Sequence, residues 1–174
     1  MNAPLLPKML QKAGYATAHY GKWHLANNMI PDSPTPDKYG YDEYGAFNCA
    51  GEQMPYNEDS LHTVNFIQKS HKAGKPFFIN LWVHEPHTPF HTSPKYEWRS
   101  RDLDRPDNIY ASVLSHADDR IGEVLNKLDE LGIADNTLVI FSSDNGPARA
   151  SKPGELKLSY DTATGAGWGI NAAK

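Results

Sequence analysis

Three segments of this chain carry apolar residues at the spacing of an amphipathic helix. The first covers residues 5–13 and is followed by Gly14, a common helix stop. The second runs over residues 59–70, and the third and longest over residues 109–131. The side chains predicted to face inward are Leu61, Val64 and Ile67 in the second helix, and Val113, Leu114, Ala117, Ile121, Val124, Leu125, Leu128 and Leu131 in the third.

Strand-like runs alternate with these helices. Residues 16–20 form one strand, and residues 77–83 form a nearly continuous apolar run that suits an interior strand covered on both faces. Residues 136–142 have the pattern of another buried strand. Residues 27–56 are rich in Pro, Gly, Asp, Asn and Tyr and have no sustained period, which predicts a long loop region. The alternation favours an α/β fold with a mainly parallel sheet flanked by helices.

Composition narrows the class of protein. The chain has 174 residues, of which 39% are hydrophobic, and this predicts a single globular, soluble domain. Its most apolar run, residues 77–83, is far shorter than the roughly 20 residues that a membrane-spanning helix needs. A formal charge of -4 without a block of like charges argues against a nucleic-acid partner. The single cysteine excludes an intrachain disulfide framework.

Each predicted strand is followed by polar residues of the types that catalysis and metal binding use. Residues i and i+2 of an extended segment share a face, so Lys22 and His24 are predicted to occupy one small volume. The carboxyl ends of parallel strands lie along one edge of a sheet, so the three pairs are predicted to converge there. Taken singly, each pair also fits a surface lysine, a loop histidine or an ordinary turn. The pairs are Lys22 and His24, His84 and His87, and Asp144 and Asn145.

The same segments resemble the signatures of the sulfatase family, the arylsulfatase-like members of the alkaline phosphatase superfamily. Residues 14–25 read G-Y-A-T-A-H-Y-G-K-W-H-L, residues 77–89 resemble the second histidine segment, and residues 110–147 resemble the helix and metal-binding strand. The three motifs also follow the family's order and spacing. The resemblance implies an alkaline-phosphatase-like α/β sandwich that is incomplete in this chain, a calcium-type divalent ion, and hydrolysis of sulfate esters.

The resemblance also implies a role for five individual residues. Lys22 would stabilise the charged nucleophile and an oxygen of the sulfate. His24 would act as the base toward the hydroxyl of the nucleophile, and His87 would protonate the leaving oxygen. Asp144 and Asn145 would supply two oxygen ligands to the calcium ion, whose charge offsets that of the sulfate.

The chain also departs from the pattern of the family. Members attack with a formylglycine made from a cysteine in a Cys-x-(Pro or Ala)-x-Arg motif upstream of the Lys-Trp-His segment. Cys49 follows that segment instead and continues Ala-Gly-Glu-Gln. The N-terminal aspartate pair and the C-terminal subdomain are not found either, and two ligands cannot fill the roughly six to eight positions that calcium prefers. We therefore expect residues 1–174 to be an internal fragment of one sulfatase catalytic domain, clearest over 5–147, with 148–174 a loop-rich tail.

Two alternatives to a sulfatase stay open. One is a phosphodiesterase or phosphonate hydrolase of the same superfamily, and the other is a non-catalytic, truncated relative. For a sulfatase, the expected substrate is a small-molecule or glycan sulfate ester. Family members are commonly exported or lysosomal, which implies a periplasmic, extracellular or lysosomal location.

The segment after the second histidine motif has two interpretations. Aromatic and arginine side chains together are typical of a cleft that binds a sulfated sugar, whereas an ordinary exposed loop has the same composition. The residues in question are His91, Tyr96, Trp98, Arg99 and Arg101.

Overall fold

Two compact units make up this chain. The computed structural model describes residues 3–25, 30, 32–47, 54–55, 58–87 and 94–143. The first unit contains the chain up to His84 together with residues 121–135, and the second contains residues 85–120 and the chain from Asn136 onward. That all of them belong to one catalytic domain stays a prediction.

Each of the three predicted helices is present, and the described residues contain a further short one. None of the helices in these ranges combines the length and the apolar character needed to cross a membrane. Two short 3-10 turns accompany them, at Pro36–Tyr39 and Ala134–Asn136. The helices are α1 at Leu6–Lys12, α2 at Asp59–Lys72, α3 at Pro94–Arg99 and α4 at Arg105–Glu130.

The first unit contains a parallel sheet, which confirms the predicted α/β fold. Its strands within the described residues are β1 at Ala16–Gly21, β2 at Glu43–Ala46 and β3 at Phe77–Trp82. They lie in the order β2-β1-β3, so β1 is central. β2 lies inside the segment predicted to be a loop, and that prediction is wrong for these residues. Four residues are too few to show a period, and β2 is defined only by its pairing with β1.

Two further strand predictions are corrected by the structure. Residues 137–143 lie in no strand, and Leu138, Ile140 and Phe141 are 85%, 79% and 84% exposed. Within the described residues β3 pairs only with β1, and it is half-buried rather than covered on both faces. In both cases the apolar run supplies strand propensity, but a strand needs a neighbour to complete its hydrogen-bond ladder, and burial of its side chains needs elements packed on both faces of the sheet.

The two faces of β1 pack against different partners. Tyr20 packs on one face against Phe66 of α2, with ring centroids 6.3 Å apart. His19 lies on the opposite face, because successive side chains of a strand alternate. There it meets what we call the aromatic cluster, which consists of buried Trp23, Tyr41 and Ala46 with partly buried Tyr39, Tyr44 and Phe78 around them.

The predicted inward faces of the helices are correct only in part. α2 buries Phe66 and Ile67, but Leu61 is 54% exposed, so its predicted orientation is wrong. In α4 the predicted inward residues Leu114 and Leu125 are each 40% exposed. The period of a helix decides which residues neighbour each other, and the packing partner decides which edge of that stripe is buried. Residues of α4 that are buried as predicted include Val113, Ala117 and Leu128.

Candidate active site

A sharp corner ends β1. Gly21 is the last residue of the strand and has a φ of +103°. A Cβ at this position would lie 2.0 Å from the carbonyl oxygen of Trp82, so a glycine is required. The close approach allows the Lys22 N–H to donate a 2.7 Å hydrogen bond to the same carbonyl. The corner therefore ties the end of β1 to the end of β3.

The two candidate catalytic residues of this corner flank a buried tryptophan. Trp23 is fully buried, edge-on to Tyr39 at 5.0 Å and stacked with Trp82 at 6.3 Å between ring centroids. Lys22 is half-buried and His24 is exposed. The packed indole fixes the path of the chain between them, and both side chains stay accessible to a ligand.

A second histidine of the same segment is entirely buried. His19 is 0% exposed, and its Nε2 lies 3.0 Å from the carbonyl oxygen of Lys22. Because a carbonyl only accepts, Nε2 carries the proton and donates. Its ring is edge-on to Trp23 and to Trp82, with centroids 4.9 Å apart in each case. Burial lowers the pKa of His19 to about 4, against a smaller opposing effect of the bond to Lys22, so the ring is neutral at pH 7.

The end of β3 brings a third histidine to the same edge. β1 and β3 run parallel with Gly21 opposite Trp82, so the residues that follow both strands lie at one edge of the sheet. His84 is buried there, with its ring edge-on to Phe47 at 5.2 Å between centroids. Within the first unit, the structure thus places the segments of Lys22 and His84 side by side, as the sequence predicts.

His87 belongs to the second unit and is exposed. Two residues before it, the Glu85 carboxylate accepts a 2.6 Å hydrogen bond from the guanidinium of Arg120 in α4. Both side chains are about 5% exposed, so this is a buried ion pair. Buried charges are stable only when they are paired, so the segment that carries His87 is fastened to α4.

Two of the residues predicted for a sugar cleft serve the packing of the second unit. Tyr96 is buried, and the guanidinium of Arg99 lies 5.0 Å from its ring centroid. Arg99 also donates a 2.8 Å hydrogen bond to Asp119. That bond, with a second one from Lys95, holds the pKa of Asp119 well below its usual range. Arg99 and Tyr96 are therefore occupied by contacts within the protein.

The other two described candidates remain accessible. Trp98 is 65% exposed, and the guanidinium of Arg101 lies 4.0 Å from its ring centroid. Both residues line a surface hollow of about 460 Å³. His91 lies outside the described residues.

The predicted metal ligands Asp144 and Asn145, like Cys49, also lie outside the described residues. Among the residues that are described, no group of three or more His, Cys, Asp or Glu side chains could hold a metal ion. A carboxylate and a side-chain amide are nevertheless the oxygen donors that a hard cation such as calcium prefers. The chemistry of these two donors thus fits the predicted ion.

The sequence does not predict two contacts that hold the candidate catalytic segments, which are the hydrogen bond of His19 to Lys22 and the ion pair of Glu85 and Arg120. For His19 the signal was available, because a polar residue at an inward position of a buried strand requires a partner. For Glu85 and Arg120 no local signal exists, since 35 positions separate them. Only the fold brings that pair together.

Known proteins resemble this chain in sequence. The sulfatase family matches residues 2–171. The N-acetylgalactosamine-6-sulfatase of Mus musculus is 32% identical over 87% of this chain and 34% of its own length. An ulvan-active sulfatase of Formosa agariphila is 26% identical over 90% of this chain and 38% of its own length. The chain therefore spans little more than a third of these curated relatives.

Solved structures share the fold. Ps i-CgsB in complex with k-i-k-neocarrahexaose matches with a TM-score of 0.62 and 23% identity, over 75% of this chain and 37% of its own. The protein yidJ from Bacteroides fragilis matches with a TM-score of 0.60 and 18% identity, over 75% of this chain and 41% of its own. Because the family match extends over nearly all of its residues and the fold agrees, the chain belongs to the sulfatase family.

Proposed function

We propose that the protein containing this chain is a sulfuric ester hydrolase and that this chain carries part of its active site. The observation that carries the proposal is the corner from Gly21 to His24, held at the sheet edge in a chain of the sulfatase family. This corner presents a cation and an imidazole within two positions of each other. Such a pair suits a reaction in which an anionic ester is bound and a proton is moved.

Lys22 is the proposed charge-stabilising group. Its main chain is held from both sides, since its N–H donates to Trp82 and its carbonyl accepts from His19. A positive group that is fixed before the reaction stabilises developing negative charge without having to reorganise. We assign its ammonium to an oxygen of the bound sulfate.

Two exposed histidines, His24 and His87, are the proposed proton carriers. His24 would accept a proton at its imidazole from the attacking hydroxyl, and His87 would donate one to the leaving oxygen of the ester. Both rings are exposed, which supports direct contact with a ligand. General acid and base catalysis of this kind contributes about 10²–10⁴-fold to a rate.

A calcium ion completes the proposal, with Asp144 and Asn145 among its ligands. When bound, the ion supplies positive charge that offsets the charge of the sulfate. Cys49 does not match the formylglycine motif, so no step is assigned to it. The remaining ligands and the nucleophile are not assigned to residues of this chain.

The proposed substrate class is a sulfated glycan. The supporting observations are the names of the relatives, which include an N-acetylgalactosamine-6-sulfatase and an ulvan-active sulfatase. A neighbour in structure was crystallised with a neocarrahexaose. Family membership alone supports the proposed periplasmic, extracellular or lysosomal location.

The test compares ester classes in the protein that contains this chain. We expect 4-nitrophenyl sulfate to be hydrolysed faster than bis(4-nitrophenyl) phosphate. Lys22→Ala should lower kcat for the sulfate ester about 10²–10³-fold, as expected for the loss of one group that stabilises developing charge. The matched control is Lys12→Ala, which removes an exposed lysine of α1 and should leave kcat unchanged.

Two outcomes would contradict the proposal. Faster hydrolysis of the phosphodiester would favour a phosphodiesterase of the same superfamily. Saturable binding of a sulfated glycan without turnover would favour a non-catalytic relative.

A further inference from the structure

We propose that His19 is a positioning residue for Lys22, and that its buried imidazole holds the main chain of the lysine through a side-chain to carbonyl hydrogen bond. The inference rests on the role proposed for Lys22. It assigns a function to a histidine that takes no part in proton transfer.

The geometry of the Lys22 backbone carries the first step of the argument. Its N–H donates to the carbonyl of Trp82 at 2.7 Å, and its own carbonyl accepts from Nε2 of His19 at 3.0 Å. The first bond continues the contact between β1 and β3. The second bond closes the corner, at a place where the ladder of β1 has already ended. With both bonds made, the peptide units on either side of the Lys22 Cα are fixed.

Packing fixes the imidazole itself. The ring is edge-on to Trp23 and Trp82, at 75° and 90°, and lies 5.4 Å from the ring of Tyr41. A donor that cannot rotate gives a hydrogen bond of defined direction.

The choice of an imidazole at this position needs a reason beyond packing. An apolar ring would fill the same space among Trp23, Trp82 and Tyr41. The imidazole instead buries a polar ring whose Nδ1 has no hydrogen-bond partner among the described residues. Burial of an unsatisfied polar atom is unfavourable. The donor that reaches Lys22 is what the imidazole supplies in return.

Three variants separate positioning from stability. His19→Gln keeps an N–H donor near the place of Nε2, whereas His19→Phe keeps an aromatic ring and removes the donor. Tyr41→Phe changes the same aromatic cluster and removes no contact with Lys22. The activities of all three variants should be compared at equal folded fraction, as measured by circular dichroism.

We expect kcat to fall only in the variant that lacks the N–H donor to the Lys22 carbonyl. His19→Phe should lower kcat for 4-nitrophenyl sulfate about 10- to 100-fold, because a displacement of about 1 Å costs up to 10²-fold. Its KM should change by less than about threefold, since the role of Lys22 lies in the transition state. His19→Gln and Tyr41→Phe should stay within about threefold of the wild type in both constants. Full activity of His19→Phe would overturn the inference.

The pH profile of kcat distinguishes positioning from proton transfer. His19→Gln should leave the shape of the profile unchanged, because the imidazole keeps its proton throughout the reaction. If His19→Gln is as slow as His19→Phe and its profile lacks one ionisation, His19 exchanges a proton with the reacting groups. That result would overturn the inference.

A readout without turnover keeps this inference separate from the proposed function. In ¹⁵N NMR spectra at pH 7, the imidazole of His19 should be neutral with its proton on Nε2, and His19→Phe should speed exchange of the Lys22 amide. A cationic ring, or a proton on Nδ1, would overturn the inference even in an active sulfatase. The expected spectra in a protein without sulfate-ester turnover would support the contact and contradict the proposed function.

Discussion

The two loops that carry candidate catalytic groups are anchored by opposite means. In the first unit, Lys22 is held by a neutral imidazole inside the aromatic cluster, through one hydrogen bond from His19. In the second unit, the segment of His87 is held by the ion pair of Glu85 and Arg120, with both side chains buried. Each anchor joins a loop to a regular element of its own unit.

The difference decides how each loop responds to the loss of one partner. A neutral polar group that loses its partner costs about 1–3 kcal/mol, and the cluster around it is stabilised mainly by buried aromatic area. A charge left without its partner inside a protein costs far more. The corner of β1 can therefore lose its anchor and stay folded, whereas the segment of Glu85 depends on both members of its pair.

The largest expected effect comes from breaking the ion pair. Glu85→Ala should lower the free energy of unfolding by about 3–5 kcal/mol, because it leaves the guanidinium of Arg120 buried and without its carboxylate. Urea unfolding followed by circular dichroism measures the change. The matched control is the double variant Glu85→Met with Arg120→Leu, which removes both charges and should stay within about 1 kcal/mol of the wild type. Equal losses in the single and double variants would contradict a paired anchor.

The second effect is a loss of stability in acid that originates in the buried, neutral imidazole of His19. Burial lowers the pKa of His19 from 6.5 to about 4, so between these values the unfolded chain takes up a proton and the folded chain does not. The contribution of neutral His19 to the free energy of unfolding is therefore fully present above pH 6.5, and it is lost as the pH drops toward 4. Since one pKa unit corresponds to about 1.4 kcal/mol, the full loss is about 3 kcal/mol. The rings that face His19 are Trp23, Trp82 and Tyr41, and burial raises the pKa of Tyr41 to about 12, so it stays neutral.

His19→Gln isolates this contribution, because the amide does not titrate in this range. Unfolding should be measured in both proteins from pH 7.5 to 4.5, so that all other ionisations cancel in the difference. The wild type should lose more stability than the variant as the pH falls. Parallel curves would mean that His19 takes up its proton equally in both states.

The smallest effect tests whether any hydrogen bond on this face of β1 affects the site. Thr17 is buried on the same side of the strand as His19, and its hydroxyl donates to the carbonyl of Gly40 at 2.9 Å. Thr17→Val removes that bond together with the contacts of the same hydroxyl to the carboxylate and N–H of Asp42, keeps the shape of the side chain, and should cost about 1–2 kcal/mol. It should leave kcat for a sulfate ester unchanged, because Thr17 makes no contact with Lys22. A loss of kcat equal to that of His19→Phe would show that the whole face, and not His19, sets the corner.

Local pattern accounts for how far the fold could be predicted. α1, α2, α4, β1 and β3 were each placed correctly to within a few residues, because the period of apolar side chains is written within the element itself. β2 has only four residues, which carry no period, so the sequence does not predict it. Residues 136–142 are predicted to form a strand, but propensity does not report whether a neighbouring strand is present, and residues 137–143 lie in no strand. Pairing is a property of two segments, and one segment alone cannot reveal it.

The candidate site likewise has residues that the sequence alone predicts and contacts that only the structure shows. Lys22, His24 and His87 stand within contiguous motifs, so sequence alone could propose them, together with the sulfatase family that the comparisons confirm. Arg99 and Arg101 look alike in sequence, and only packing shows that the first pairs with Asp119 and the second lies over exposed Trp98.

The sequence by itself determined the position and order of α1, α2, α4, β1 and β3, and the family, because periods and motifs lie within short stretches of chain. Tertiary structure alone decided which apolar residues are buried, that His19 donates to Lys22, and that Glu85 meets Arg120. Each of these outcomes depends on a partner, and burial changes what that partner does. A histidine becomes neutral and two charges become inseparable once water has been removed from around them.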